Sequence, residues 1–134
     1  MEQPDLGWTT NVEVSKVTDG DTVKVKFSRE IDVRLSNYNA PEIRRPASDY
    51  ERKQGRIHKS YLQELVDGGQ CVLFIETSGK DRVKDIFCIG SRAVGNIFVD
   101  GKDVGDLMKE KFFEDCSICK LSIRKDLMNE HLCQ

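Results

Sequence analysis

Asp19-Gly20-Asp21-Thr22-Val23-Lys24-Val25-Lys26-Phe27, followed after Ser28-Arg29-Glu30 by Ile31-Asp32-Val33-Arg34-Leu35, is the stretch that decides the fold. Apolar residues occupy every second position (Val23, Val25, Phe27, then Ile31, Val33, Leu35), which is the period of a strand with one face buried. Upstream, Thr10 to Val17 mixes polar residues with Val12, Val14 and Val17, and Asp19-Gly20-Asp21 turns that run into the next. Three consecutive antiparallel strands are predicted. Pro41, which lacks a backbone donor and restrains the residue before it, is expected to end the third.

Downstream the period changes. Tyr50, Ile57, Tyr61, Leu62, Leu65 and Val66 fall on one side of a helix running from about Asp49 to Val66, and Gly68-Gly69 stops it. Cys71 to Ile75 and Ala93 to Val99 read as apolar strands, the second closed by the turn Asp100-Gly101. Asp103 then caps a helix whose apolar positions Val104, Leu107 and Met108 are spaced i, i+3, i+4. This order predicts an α+β fold, a small β-barrel with helices packed on it.

A chain of 134 residues, 38% hydrophobic and 33% charged, suffices for one packed domain. The 21 Lys and Arg nearly balance 23 Asp and Glu, so attraction to phosphate must come from a local cluster. No stretch approaches a membrane span, and the acidic start is unlike a secretory leader. The expectation is an intracellular protein of cytoplasm or nucleus, a viral or phage protein within its host included, with no membrane partner. Five cysteines, an odd number without an export signal, point to free thiols or a metal site instead of disulfides.

Three polar clusters remain once core and turn residues are removed. Asp19-Gly20-Asp21-Thr22 delivers a carboxylate to the start of a strand, although Asp-Gly is also an ordinary hairpin turn. Arg34 lies within a strand whose end is followed by Asn39-Ala40-Pro41-Glu42, although arginine on an exposed strand face is common. Gly90-Ser91-Arg92 brings a second arginine to a later strand. Two arginines and several oxygen ligands on the rims of adjacent strands are what phosphodiester cleavage needs. They supply a seat for a hard cation, a base for water and guanidinium groups for the extra charge.

Taken in order, Asp19-Gly20-Asp21-Thr22-Val23, Arg34-Leu35, Asn39-Ala40-Pro41-Glu42, Arg92 and Ile97-Phe98-Val99-Asp100-Gly101-Lys102 before a helix resemble the staphylococcal nuclease (thermonuclease) family. The resemblance implies a five-stranded OB-like barrel with packed helices over residues 10–113. It also implies a calcium-dependent nuclease that cuts DNA and RNA with little sequence preference. It assigns calcium to Asp21, Asn39 and the backbone carbonyl of Ala40, catalysis to Arg34, Glu42 and Arg92, and general-base work to Glu42. A glutamate there could equally hold the attacking water in place. Asn39 stands where the founding nuclease has an aspartate, so weaker calcium binding is expected. The family's Tyr-Gly-Arg around the second arginine is Gly90-Ser91-Arg92 here, so a tyrosine that would help hold the nucleotide is missing. The competing reading is a catalytically inactive domain that serves as a nucleic-acid or protein binding module.

Arg44, Arg45, Arg52, Lys53, Arg56 and Lys59 follow Glu42 and form a candidate substrate-binding lip for a phosphate backbone, or else a solvated helix face. His58, alone among them, reads as a surface residue without a role. In residues 114–134, Cys116-Ser117-Ile118-Cys119, eleven residues and His131-Leu132-Cys133 look like a zinc site, with Ile123, Leu127 and Leu132 as a miniature core and His131 on a following helix. The bland alternative is a C-terminal helix with incidental thiols. The spacing resembles small ubiquitin-binding zinc fingers, which implies ubiquitin or another protein as a partner. Cys133 follows His131 by only two residues, about 200° around a helix, so it joins the site only if the helix has ended. Cys71 and Cys88 are left as barrel thiols.

Overall fold

The computed structural model describes residues 7–27, 30–76 and 92–132. Its elements run β1 (Gly7–Asp19), β2 (Thr22–Lys26), β3 (Glu30–Leu35), α1 (Asp49–Asp67), β4 (Cys71–Glu76) and β5 (Arg92–Val99). They continue through β6 (Lys102–Asp103), α2 (Val104–Phe112), β7 (Phe113–Asp115), β8 (Ser122–Arg124) and a 3-10 helix (Lys125–Glu130). The predicted order of strands and helices is present.

Two strands close the barrel by dividing their length between two neighbours. The first half of β1 pairs with β4, and its second half, from Glu13, pairs with β2, with register shifts beside Val14 and Val17 that bend it. Strand β5 lies parallel to β3 through Arg92–Gly95 and antiparallel to β4 through Asn96–Val99. Gly95 sits at that changeover. A Cβ there would lie 2.7 Å from the Phe74 carbonyl oxygen, so only glycine lets both neighbours approach. The ring β1-β2-β3-β5-β4 is thus a closed five-stranded, OB-like barrel.

The alternating residues do what their period requires: Val23, Val25, Ile31 and Val33 are wholly buried and Leu35 nearly so. They meet Leu73, Ile75, Ile97 and Val99 inside the barrel, and Leu62 and Val66 of α1 with Val104 and Met108 of α2 close it. Ser48 caps α1, its Oγ accepting the Glu51 N–H at 3.2 Å. Asp103 caps α2, accepting from Gly105 at 2.7 Å and Asp106 at 3.3 Å, and also holds the amides of Asn37 and Asn96. Strand β3 stops at Leu35, well ahead of Pro41. Ser36 and Asn37 form a turn there, and Asn37 donates to Asp103 and Asp106 at the start of α2. Among the described residues no helix is long and apolar enough to cross a membrane.

The hairpin turn between β1 and β2 rests directly on α1. A Cβ on Gly20 would stand 2.6 Å from His58 Cβ and 2.8 Å from Ala40 Cβ. Gly20→Ala is therefore expected to cost about 2 kcal/mol of stability through overpacking, read as a lower midpoint in urea.

Candidate active site and metal-binding tail

One cavity of about 290 Å³ is lined by Thr18, Asp19, Asp21, Thr22, Asp32, Arg34, Glu42 and Arg44. Each reaches it for a local reason. Asp19 ends β1 and Asp21 is the second residue of the Gly20-Asp21 turn that the Asp19–Thr22 pair closes, so both carboxylates sit at the same barrel rim. Asp32 and Arg34 alternate with the buried Ile31, Val33 and Leu35 and so share the outer face of β3. Glu42 and Arg44 come from the segment between β3 and α1.

Asp21 is nearly buried and tied on both oxygens, Oδ2 accepting the Ala40 N–H at 2.8 Å and Oδ1 the Thr22 hydroxyl at 3.1 Å. These bonds bring the Asn39-Ala40 segment beside the turn. The Arg34 guanidinium donates to Asn39 Oδ1 at 2.6 Å, which engages the amide oxygen that the family resemblance assigns to calcium. Asp32 pairs across the strands with Lys24 at 2.8 Å. Asp21, Arg34, Glu42 and Arg44 of the predicted set thus meet at one cavity, with Asn39 attached through Arg34.

Two further carboxylates line the cavity beyond the residues the sequence singles out: Asp19, whose local signal is that of an Asp-Gly turn, and Asp32, whose position in an alternating strand carries no signal of its own. Arg45, Arg52, Lys53, Arg56 and Lys59 do not line this cavity. Arg92 begins β5 opposite Asp32, and its side chain lies outside the described residues, as do Cys88, Gly90, Ser91 and Cys133.

His58 corrects its sequence reading: it is wholly buried, stacked 3.7 Å from the Phe112 ring centroid, with Nδ1 2.6 Å from the Tyr38 hydroxyl and Nε2 unpartnered. Burial pulls its pKa down to about 4, helped by the Arg124 charge, and burial pushes the Tyr38 hydroxyl up. An unfolded chain therefore takes up this proton first, and stability present above pH 6.5 is lost as the pH falls toward 4. The loss attributable to His58 should reach about 3 kcal/mol at the acid end of that window. Urea titrations at both pH values should show a flatter dependence for His58→Gln than for the parent.

In the tail, the ligand atoms of Cys116, Cys119 and His131 lie within 4.8 Å of one another, so this group could hold a metal ion. Cys119 Sγ is 3.2 Å from His131 Nε2. Strands β7 and β8 form a hairpin around the cysteines. Cys116 N–H donates to the Leu121 carbonyl at 2.8 Å, and Lys120 N–H to that of Cys116 at 2.9 Å, with Lys120 at φ 65°. The expected helix is a short 3-10 turn that ends at Glu130, so His131 follows it on extended backbone and does not project from it. Leu132 is 80% exposed and belongs to no miniature core, whereas Ile123 and Leu127 are half-buried.

The tail is fastened to the barrel. Arg124 grips Glu51 of α1 with two bonds of 2.8 and 2.9 Å and also binds Asp126, which accepts from the Tyr50 hydroxyl at 2.8 Å. The guanidinium holds both carboxyls below the usual range. Phe113 packs edge-on against Tyr38, and Tyr38 immediately precedes Asn39. Cys71 is a buried thiol at the start of β4, and burial raises its pKa. No protein-family model matches this chain, and no curated protein matches it.

Proposed function

We propose that this chain is a calcium-dependent nuclease that hydrolyses phosphodiester bonds of DNA or RNA with little sequence preference, in keeping with its resemblance to the staphylococcal nucleases. The observation that supports this best is the single cavity shared by Asp19, Asp21, Asp32 and Glu42 with Arg34 and Arg44. The oxygen donors suit calcium: they are hard, anionic and drawn from separate elements, and Asp21 is already oriented by two hydrogen bonds. Calcium, when bound, would supply positive charge to a phosphate oxygen.

The chain's own groups would do the rest. Glu42, exposed at the cavity, takes a proton from water as the water oxygen bonds to phosphorus. Arg34, steadied by Asn39, and Arg44 offset the charge that grows on the phosphate oxygens while the bond to the leaving oxygen breaks. Arg92 joins them by sequence resemblance. The tail site, with its two thiolates and imidazole, suits zinc in a structural role, and by its place in the sequence Cys133 would supply a fourth ligand. Digestion of circular single-stranded DNA and of RNA, with and without added calcium, tests the reading. Cleavage only with calcium is expected. Retention of nucleic acid without cleavage would leave the binding module in its place.

A further inference from the structure

Arg56 lines a different cavity, of about 400 Å³, between α1 and the end of α2, together with Ile57, Tyr61, Glu64, Lys111 and Phe112. It shares no residue with the cavity around Asp21. The two are nonetheless near in the chain's packing: Gly55, next to Arg56, lies against the segment that carries Glu42, where a Cβ would stand 2.7 Å from the Pro41 carbonyl oxygen and 2.8 Å from Ile43.

Charge and surface both favour one class of occupant. Between Glu51 and Glu64, helix α1 carries Arg52, Lys53, Arg56 and Lys59 and no acid, and the Glu51 carboxylate is already neutralised by Arg124. Lys111 supplies a cation from the opposite wall, its Nζ 5.3 Å from the centroid of the Tyr61 ring. Among the described residues the Arg56 side chain has no hydrogen-bond or ion-pair partner, its backbone being part of α1. The floor is apolar: Ile57 is 50% exposed, and Tyr61 stands edge-on to Phe112 with ring centroids 5.6 Å apart. Cations on both sides of an apolar and aromatic floor match phosphates flanking an unstacked base, which a single strand offers and a duplex does not. Glu64 is the one acid in the lining.

We infer that the α1–α2 groove is an anchoring subsite for single-stranded nucleic acid, holding strand outside the cavity where cleavage occurs. This rests on the nuclease reading for its purpose, though not for its chemistry. The test uses the full chain carrying Glu42→Gln, without calcium, and a fluorescein-labelled oligothymidylate of about twelve nucleotides followed by anisotropy. Adding Arg56→Gln and Lys111→Gln, both at exposed positions, should weaken binding about tenfold and reduce the slope of log affinity against log salt by about 1.4. Affinity for a duplex of equal length should barely change. Hydrolysis of thymidine 5′-(4-nitrophenyl phosphate), too short to span both sites, should be the same for the parent with and without the two Gln substitutions.

Unchanged oligothymidylate affinity and slope would overturn the inference, and an equal loss on duplex would overturn the single-strand assignment. If the parent binds the oligonucleotide through these residues but hydrolyses nothing, the groove stands and the nuclease reading falls. If it hydrolyses the small diester but the groove variants bind as the parent does, the reverse holds.

Discussion

Glu42→Gln should lower kcat for calcium-dependent cleavage on the order of 10²- to 10⁴-fold while leaving KM and the melting temperature close to those of the parent. The side chain is exposed at the cavity and contributes nothing to the core, so the fold has no reason to respond. Gln keeps the size and one acceptor of Glu but cannot take a proton. The substitution therefore separates the two roles open to this residue: a loss of less than about tenfold would mean that Glu42 holds the water and some other group accepts its proton. Single-turnover rates on an oligonucleotide check the split between binding and chemistry.

Removing the tail metal should have the second large effect. Isolated metal-binding peptides of this kind gain roughly 10 kcal/mol from zinc, and beyond the Arg124 clamp and the Phe113 contact the segment here has little packing of its own. Its strands are three residues each, its 3-10 helix six, and Ile118, Leu121 and Leu132 are exposed. Protein purified without chelator should carry close to one zinc per chain. Cys119→Ser should carry almost none and become sensitive to trypsin at Lys120, Arg124 and Lys125. As the hairpin frays, Arg124 leaves Glu51, whose carboxyl then returns toward its ordinary pKa. The barrel, with its own core, should keep its cooperative transition. Less than about half an equivalent of zinc in the parent would contradict this account.

What the sequence discloses and what it hides follow from the range of the interactions involved. The period of two in β2 and β3, the Gly68 stop after α1 and the Asp103 cap of α2 are local, and each is legible. Closure of the barrel is not, because it depends on β5 finding β3 across nearly half the chain and on Gly95 being small at one contact. The same difference separates Asp21 from Asp32: the turn advertises the first, whereas the outer face of β3 that carries the second becomes a cavity wall where the Asp19–Asp21 turn and the segment with Glu42 and Arg44 come up beside it.

His58 shows the limit most sharply. Set among lysines and arginines, it reads as solvent-facing, yet the rings of Tyr38 and Phe112, from distant parts of the chain, enclose it. Helical geometry could have raised the alternative, since His58 lies four residues before Leu62 on the face that packs on the barrel. The basic lip divides for the same reason, Arg44 going to the cavity and Arg56 to the groove between the helices.

The central claim is that the carboxylate and guanidinium cavity cleaves phosphodiesters with the help of calcium. Its most direct test is the initial rate on a fluorogenic single-stranded oligonucleotide as calcium is raised from zero, for the parent, Asp21→Asn and Arg34→Gln, each with a melting curve. A rate that saturates with calcium in the parent and falls on the order of 100-fold in both variants at unchanged melting temperature is the predicted result. A parent rate that does not respond to calcium would contradict it.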